Sequence, residues 1–478
     1  MINTAIIAAY LLGMLAVGLL SSGRIKTLAG FYVGDRAGGT WLITGSLMAT
    51  IVGGSSTLGI AGLGFSKGLV GAWWMLVAAM GLLILSFCLS KKVRSYGVYT
   101  LPEILQIQYG SDLAKTISSM LISLAWIGVI AAQIIAAGKI LSSLWSFVDP
   151  QATMLTVGAV FMIYTALGGQ YSILKTDFFQ FIIILAGISI CLVSIFMATG
   201  GVSAMAAALP PDHFSFPVSP VFTFRDLLVF CLFVGSVFIV GPDIYSRLLC
   251  ARTPEIARRA SLAVACMMVP LAFAIAFIGV SARFLVPDIP AENAFPALVM
   301  HLLPCGLNAL VIAALLAAVM SSADTCLLTS GTIVVNDVIR PFLPEDTAEK
   351  TLISLSRAAV LVIGTLAVII ALRMQEIIGS LLLAYTVYSG GLVVPVLFGF
   401  YSDRLRLHPL GAVTAIACGG GMSAWLTLAG HDNLLLLSFP VSAAFLLTGS
   451  MVGRMIGGGG SDMHEDSGRT VNRKGRMH

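Results

Sequence analysis

Hydrophobic residues in this chain come in long runs separated by short polar links, and the runs share one length. In windows of about 20 residues, the helix length that crosses a roughly 30 Å hydrocarbon core, they fall near 2–21, 41–66, 69–90, 115–142, 152–168, 176–200, 225–247, 261–283, 306–336, 355–373, 377–400, 409–429 and 434–453. The pattern predicts an all-α polytopic membrane protein of about 13 transmembrane helices, forming one unit over residues 1–456. Residues 457–478 are Gly-rich and then of mixed charge, which predicts a disordered tail.

The polar links set the orientation. No Lys or Arg precedes the first apolar run, whereas Arg24, Lys26 and Arg36 follow it, so it reads as a retained helix with its N-terminus outside and not as a cleaved signal peptide. Under that orientation Lys67, Lys139, Arg225, Arg283 and Arg373 lie outside, and the rest of the 27 Lys and Arg lie on the cytoplasmic side with the tail. This is a strong positive-inside bias. It predicts a multi-pass protein of the inner (plasma) membrane, and it accounts for the net charge of +5 without a nucleic-acid partner.

Composition agrees: 58% hydrophobic and 10% charged residues exclude a water-soluble domain of 478 residues. The eight cysteines are scattered through apolar segments with no CxxC, and the six histidines form no catalytic or metal cluster, so a membrane enzyme is not expected.

Two spans are interrupted. The second, "SLMATIVGGSSTLGIAGLGFSKG", carries Gly53 and Gly54 beside Ser55, Ser56 and Thr57; the seventh, "VFCLFVGSVFIVGPDIYSR", carries Gly241 and Pro242. Glycine and proline weaken or break a helix, although glycines in a membrane also serve close packing. The breaks are five spans apart. Two five-helix blocks, about 41–200 and 225–400, would each begin with a broken helix, and an odd repeat length inverts one block against the other, the plan of secondary transporters.

Between Glu292 and Asp337 the only Asp, Glu, Lys or Arg is Asp324, in "AAVMSSADTCLLTS". A bare carboxylate there costs about 2.5–3.5 kcal/mol on insertion scales, so it is protonated, paired or bound to a cation. Ser321, Asp324 and Thr325 fall at i, i+3 and i+4, which predicts one oxygen-rich face suited to a hard cation; a protonated, hydrogen-bonded Asp324 is the alternative. Asp177, one residue after Thr176 at the start of the sixth span, reads equally as a helix-dipole acid.

The blocks "AAVMSSADTCLL", "YTALGGQYSILKTDFFQ", "GPDIYSRLLCARTPEIARRA" and "AAQIIAAGKIL" together resemble the sodium:solute symporters, whose members include bacterial proline, pantothenate and sialic acid carriers and the sodium–glucose cotransporters. The resemblance implies a LeuT-type five-plus-five inverted repeat. It implies a main Na⁺ site at the carbonyls of Ala49, Val52 and Ala318 and the hydroxyls of Ser321 and Ser322. It also implies a second Na⁺ or H⁺ site at Ser321, Asp324 and Thr325, with Asp177 as partner.

The expected solute pocket is Gly53, Gly54, Ser55, Ser56, Thr57, Trp73, Gln133, Phe238 and Pro242. Ile51, Ser56, Trp73, Val234 and Phe238 replace residues that the proline and sugar carriers use, which disfavours both solutes. Free N–H groups at a half-helix start favour an anion. The expected function is therefore Na⁺-coupled import of a small, carboxylate-bearing solute by alternating access. The alternatives are proton coupling through Asp324 and Asp177, and a transporter-like membrane sensor. The partners are Na⁺, the solute and the bilayer; no oligomeric state is assigned.

Overall fold

The computed structural model describes residues 2–22, 27–145, 148–374 and 376–457. The expected tail therefore lies, from residue 458 onward, outside the described residues. The fold is nearly all helical. In chain order its principal helices are α1 Ile2–Ser22, α2 Thr40–Ile51, α3 Ile60–Lys67, α4 Trp73–Ile84, α5 Asp112–Leu144, α6 Pro150–Thr199, α7 Val237–Val240, α8 Pro242–Leu249, α9 Pro254–Leu285, α10 Leu307–Ile333, α11 Glu349–Arg373, α12 Ile377–Gly399, α13 Pro409–Leu428 and α14 Ser438–Gly457.

Among the described residues, 11 helices are long and apolar enough to cross a membrane, against about 13 windows expected. The difference lies where two of them double back. In α6, Gly169 takes φ 53°, ψ −172°, and Tyr164 and Thr176 then share a hydrogen bond between side chains that a straight helix would hold about 18 Å apart. Likewise the span Ser55–Ser95 turns at Gly68, φ 83°, and a Cβ on Gly71 would sit 2.8 Å from the Gly64 nitrogen. Glycine supplies the positive φ that each turn requires.

Both expected breaks are present. Val52, at φ −81° and ψ 67°, ends α2, and a single wide π-type turn, Ser55–Gly59, restarts the helix ahead of α3. Gly241, extended at φ −62° and ψ 131°, separates α7 from α8, with Pro242 as the first residue of the new helix, where its missing N–H costs nothing.

The centre of the bundle is α10. In its span, Leu307–Phe342, 94% of the most apolar 18-residue stretch is buried, against 17% in Ile2–Leu20; a helix surrounded by protein carries apolar and small residues on every side. Close crossings use glycine. A Cβ on Gly279 of α9 would strike the Ala61 carbonyl, and one on Gly64 would strike that of Ala276, so α3 and α9 meet backbone to backbone.

Candidate ion and solute site

The break in α2 works by diverting two N–H groups. In an uninterrupted helix the carbonyls of Ala49 and Thr50 would accept from the N–H groups of Gly53 and Gly54. Here Gly53 donates to Ile51 O at 2.9 Å, an inverse γ-turn centred on Val52, and Gly54 donates to Gln133 Oε1 at 2.8 Å. Two carbonyls at the heart of the bundle are left without helical partners.

α10 supplies their replacements. Ser322 Oγ donates to Thr50 O at 2.5 Å, and Ser321 Oγ reaches both Ala49 O at 2.7 Å and Ala318 O at 2.9 Å. Ser321 is wholly buried and Ser322 nearly so. The expected set of Ala49, Ala318, Ser321 and Ser322 is thus drawn together, with Val52 at the turn that frees the carbonyls; Thr50 joins it without having been expected. An all-oxygen group of carbonyls and hydroxyls fits a hard monovalent cation, because each serine can give up its donated hydrogen bond and offer lone pairs instead.

One turn further along α10 the chemistry becomes ionic. Asp177 Oδ2 accepts from Ser46 Oγ at 2.6 Å and from Arg247 Nη2 at 3.0 Å; both ionic side chains are fully buried. The same Nη2 donates to Thr325 Oγ1, which also lies 3.0 Å from Thr50 Oγ1 and donates to Ser321 O at 2.8 Å. A continuous chain therefore runs from Asp177 through Arg247 and Thr325 to the serine site.

Two expectations change here. Asp324 does not join Asp177 directly: its Oδ1 accepts from Thr165 Oγ1 of α6 at 2.8 Å, on another side of α10. The partner of Asp177 is Arg247, which sequence reasoning had placed with the inner basic residues. The only signal was a single arginine closing a broken helix in "GPDIYSR". Asp177 Oδ1 and Asp324 Oδ2 are buried with no hydrogen-bond partner among the described residues. Asp243 Oδ1, one turn before Arg247, is buried without a hydrogen-bond partner as well, so three carboxylates stand against one guanidinium, an excess that fits a further monovalent cation or protons.

Of the expected solute pocket, Gly53, Gly54 and Gln133 are brought together beside Ser322. Ser55 is buried in the wide turn. Ser56 and Thr57 turn back onto their own strand of backbone, to Ile51 O at 2.7 Å and Gly53 O at 2.8 Å. Phe238 and Pro242 flank the Gly241 break. Trp73 stands apart: its indole N–H donates to Pro217 O at 2.8 Å and its ring stacks on Phe216 at 5.2 Å. The buried tryptophan is its neighbour, Trp74, stacked on Tyr385 at 6.4 Å.

Towards the end where α2 begins, the bundle is closed. Gly38 N–H donates to Cys250 O at 3.1 Å and Arg252 N–H to Gly38 O at 2.9 Å, stitching the segment before α2 to the end of α8. Tyr32, bonded to Ser356 at 2.8 Å, helps to line a cavity of about 10 Å³ with Pro242, Ser246 and Thr329, room for one water. Burial pushes the Tyr32 phenol up to about 12.

A pair of interrupted helices facing a central helix that is buried along almost all its length defines a LeuT-type membrane carrier fold. The pattern of the sodium:solute symporter family matches residues 31–419, and the chain belongs to that family. It is 24% identical to the sodium/pantothenate symporter of Escherichia coli K12 over 92% of this chain and 93% of that one. To sodium/glucose cotransporter 4 of Danio rerio it is 27% identical over 77% of this chain, but it spans only 62% of that relative's length. Among solved structures a Na⁺-coupled sialic acid symporter superposes with a TM-score of 0.78 at 18% identity, covering 95% of this chain and 98% of that one. The nucleobase-cation-symport-1 transporter Mhp1 gives 0.59 at 15%, covering 89% and 92%.

Proposed function

We propose that this protein is a Na⁺-coupled secondary active symporter that imports a small, carboxylate-bearing organic solute by alternating access. The observation that carries the reading is the pair of diverted N–H groups at Gly53 and Gly54, which leaves Ala49 O and Thr50 O to the hydroxyls of Ser321 and Ser322. A helix that gives up two of its own bonds to hold carbonyls against a neighbouring helix is built for an ion there. Na⁺ arriving at Ala49, Val52, Ala318, Ser321 and Ser322 ties α2 to α10 and fixes the shape of the break. The solute binds beside it at Gly53, Gly54 and Gln133, a carboxylate competing with Gln133 Oε1 for the Gly54 N–H.

Membership of the family and the names of its sodium-coupled relatives support the choice of ion. The protein is placed in the plasma membrane with its N-terminus outside, on the distribution of basic residues, and inward Na⁺ movement then gains roughly 2.3 kcal/mol per charge per 100 mV. A second reading, proton coupling through the lower network, has its own support in the excess of buried carboxylates, Asp177, Asp243 and Asp324, over the one guanidinium of Arg247.

Uptake into proteoliposomes under imposed Na⁺ or H⁺ gradients tests the pair, with solutes first chosen by thermal shift from amino acids, monocarboxylates, sugars and vitamins. The expected result is uptake that requires Na⁺ and a solute stabilised only when its carboxylate is present; uptake indifferent to Na⁺ overturns the first reading.

A further inference from the structure

We propose that the protein carries a second, outer site, separate from the break in α2, that captures a small organic monoanion at Lys139. Within α5, from Thr116 to Leu144, Lys139 is the only charged residue. It lines a cavity of about 650 Å³ between the end of α5, the start of α6, residues 289–300 and the end of α11, inside the range of ordinary small-ligand sites, about 300–1,000 Å³. The hydroxyls of Ser142 and Ser143 and the amides of Gln151 and Asn293 line it as well, with Met154 and Met300 as apolar wall. Among the described residues that line it, Lys139 alone is charged.

The arrangement of its partner decides the sign of the ligand. Lys139 is ion-paired to Glu292 Oε2, and both side chains keep about a fifth of their surface exposed, at 23% and 20%. Glu292 is not among the described residues that line the cavity. Its other oxygen accepts from the Ile377 N–H at 2.9 Å and the Ile378 N–H at 3.4 Å, the first residues of α12. Lys139 thus borders the cavity, while one oxygen of Glu292 is turned to the backbone of α12. An ammonium has three donors, so an incoming carboxylate shares Lys139 or displaces Glu292, which keeps its hold on the positive end of α12 in either case. Hydroxyl and amide groups then meet the remaining polar atoms of the ligand, and the methionines meet its carbon skeleton.

Under the orientation given by the basic residues this cavity faces outward, where a solute first meets the protein. That the captured anion is the transported solute rests on the function proposed above; the binding itself does not. Binding is measured on the full chain in nanodiscs carrying Ser143→Cys, following modification at position 143 by mass spectrometry. The reagents are the anionic sulfonatoethyl and the cationic trimethylammonioethyl methanethiosulfonates. The probe is potassium propionate, with propionamide as its neutral counterpart, in Na⁺-free and Na⁺ buffers.

The anionic reagent is expected to react about fivefold faster relative to the cationic one than it does in a Lys139→Gln background, by Coulomb attraction to one nearby charge. Lys139→Arg preserves that preference and shows that the fold tolerates change there. Propionate, and not propionamide, slows the modification, with or without Na⁺. Equal reagent preference in the parent and in Lys139→Gln overturns the proposal, as does equal protection by propionamide. Loss of Na⁺-dependent uptake on the same preparation speaks only against the symport reading, because this readout needs no Na⁺.

Discussion

Arg247→Met removes the one cation of the lower network. The guanidinium and Asp177 are both fully buried, 3.0 Å apart, and breaking such a pair by deleting one partner costs about 3–5 kcal/mol because a charge is left uncompensated. Ser46 still donates to Asp177 at 2.6 Å, which puts the loss near the lower end. Asp177→Asn leaves the guanidinium stranded and is expected to lose a similar amount. The double variant removes both charges. Since Arg247 Nε and Nη1 have no acceptor among the described residues, the native pair is incompletely satisfied and contributes little net stability. The double variant should therefore lie close to the parent, with a coupling energy that approaches the sum of the two single losses, about 6 kcal/mol. Thermal unfolding in nanodiscs, followed by thiol-reactive dye at the buried Cys191, Cys250 and Cys326, reads this as a fall of about 3–5 °C for each single variant and near-recovery in the double. If the double variant loses the sum of the two single losses, Arg247 and Asp177 do not act as a pair and the reasoning fails.

Ser322→Ala removes the hydroxyl that holds Thr50 O and one proposed ligand of the main site; the Na⁺ concentration for half-maximal uptake should rise about tenfold, near 1.4 kcal/mol, with the maximal rate retained. Asp324→Asn removes the carboxylate whose Oδ2 has no partner, and reversal potentials should report one cation fewer per solute; an unchanged ratio would assign Asp324 a structural role. Gly279→Val drives a side chain into the Ala61 carbonyl and to within 2.8 Å of the Phe65 nitrogen, and is expected to destabilise by about 1–3 kcal/mol. Gly13→Ala, which meets nothing within 4 Å, serves as its control and should stay within about 0.5 kcal/mol.

The two helix breaks were legible because glycine and proline act locally: Val52–Gly54 and Gly241–Pro242 interrupt their helices through backbone geometry that neighbours need not impose. Ser321 and Ser322 were legible for a related reason, being hydroxyls inside a helix that is buried all round. What escaped the sequence depended on rotation. Adjacent helical residues point about 100° apart, so Asp324 and Thr325, though consecutive, reach Thr165 and the Arg247–Thr50 pair respectively. The same step separates Trp73, bound to the Pro217 loop, from Trp74 in the core. Arg247 escaped because its position at a span end suits an inner-loop charge as well as a buried one, and only packing against α10 distinguishes them.

Placing that arginine changes how the upper and lower sites communicate. A guanidinium donates and never accepts, so Arg247 fixes Thr325 Oγ1 as an acceptor on that side and turns its proton towards Ser321 O. Ser321 is in turn committed as donor to Ala49 O and Ala318 O. Thr325 and Ser321 thus both donate away from Arg247 towards the break in α2, and hydrogen bonds in series strengthen one another in a low-dielectric interior. A cation among the Ser321 and Ser322 oxygens reverses the duty of those serines from donor to acceptor and leaves Thr325 bonded to a more strongly polarised carbonyl. Such a cation also repels the guanidinium across a single threonine. If the upper site holds Na⁺ as proposed, its occupancy and the seat of Arg247 against α10 are expected to be coupled through Thr325.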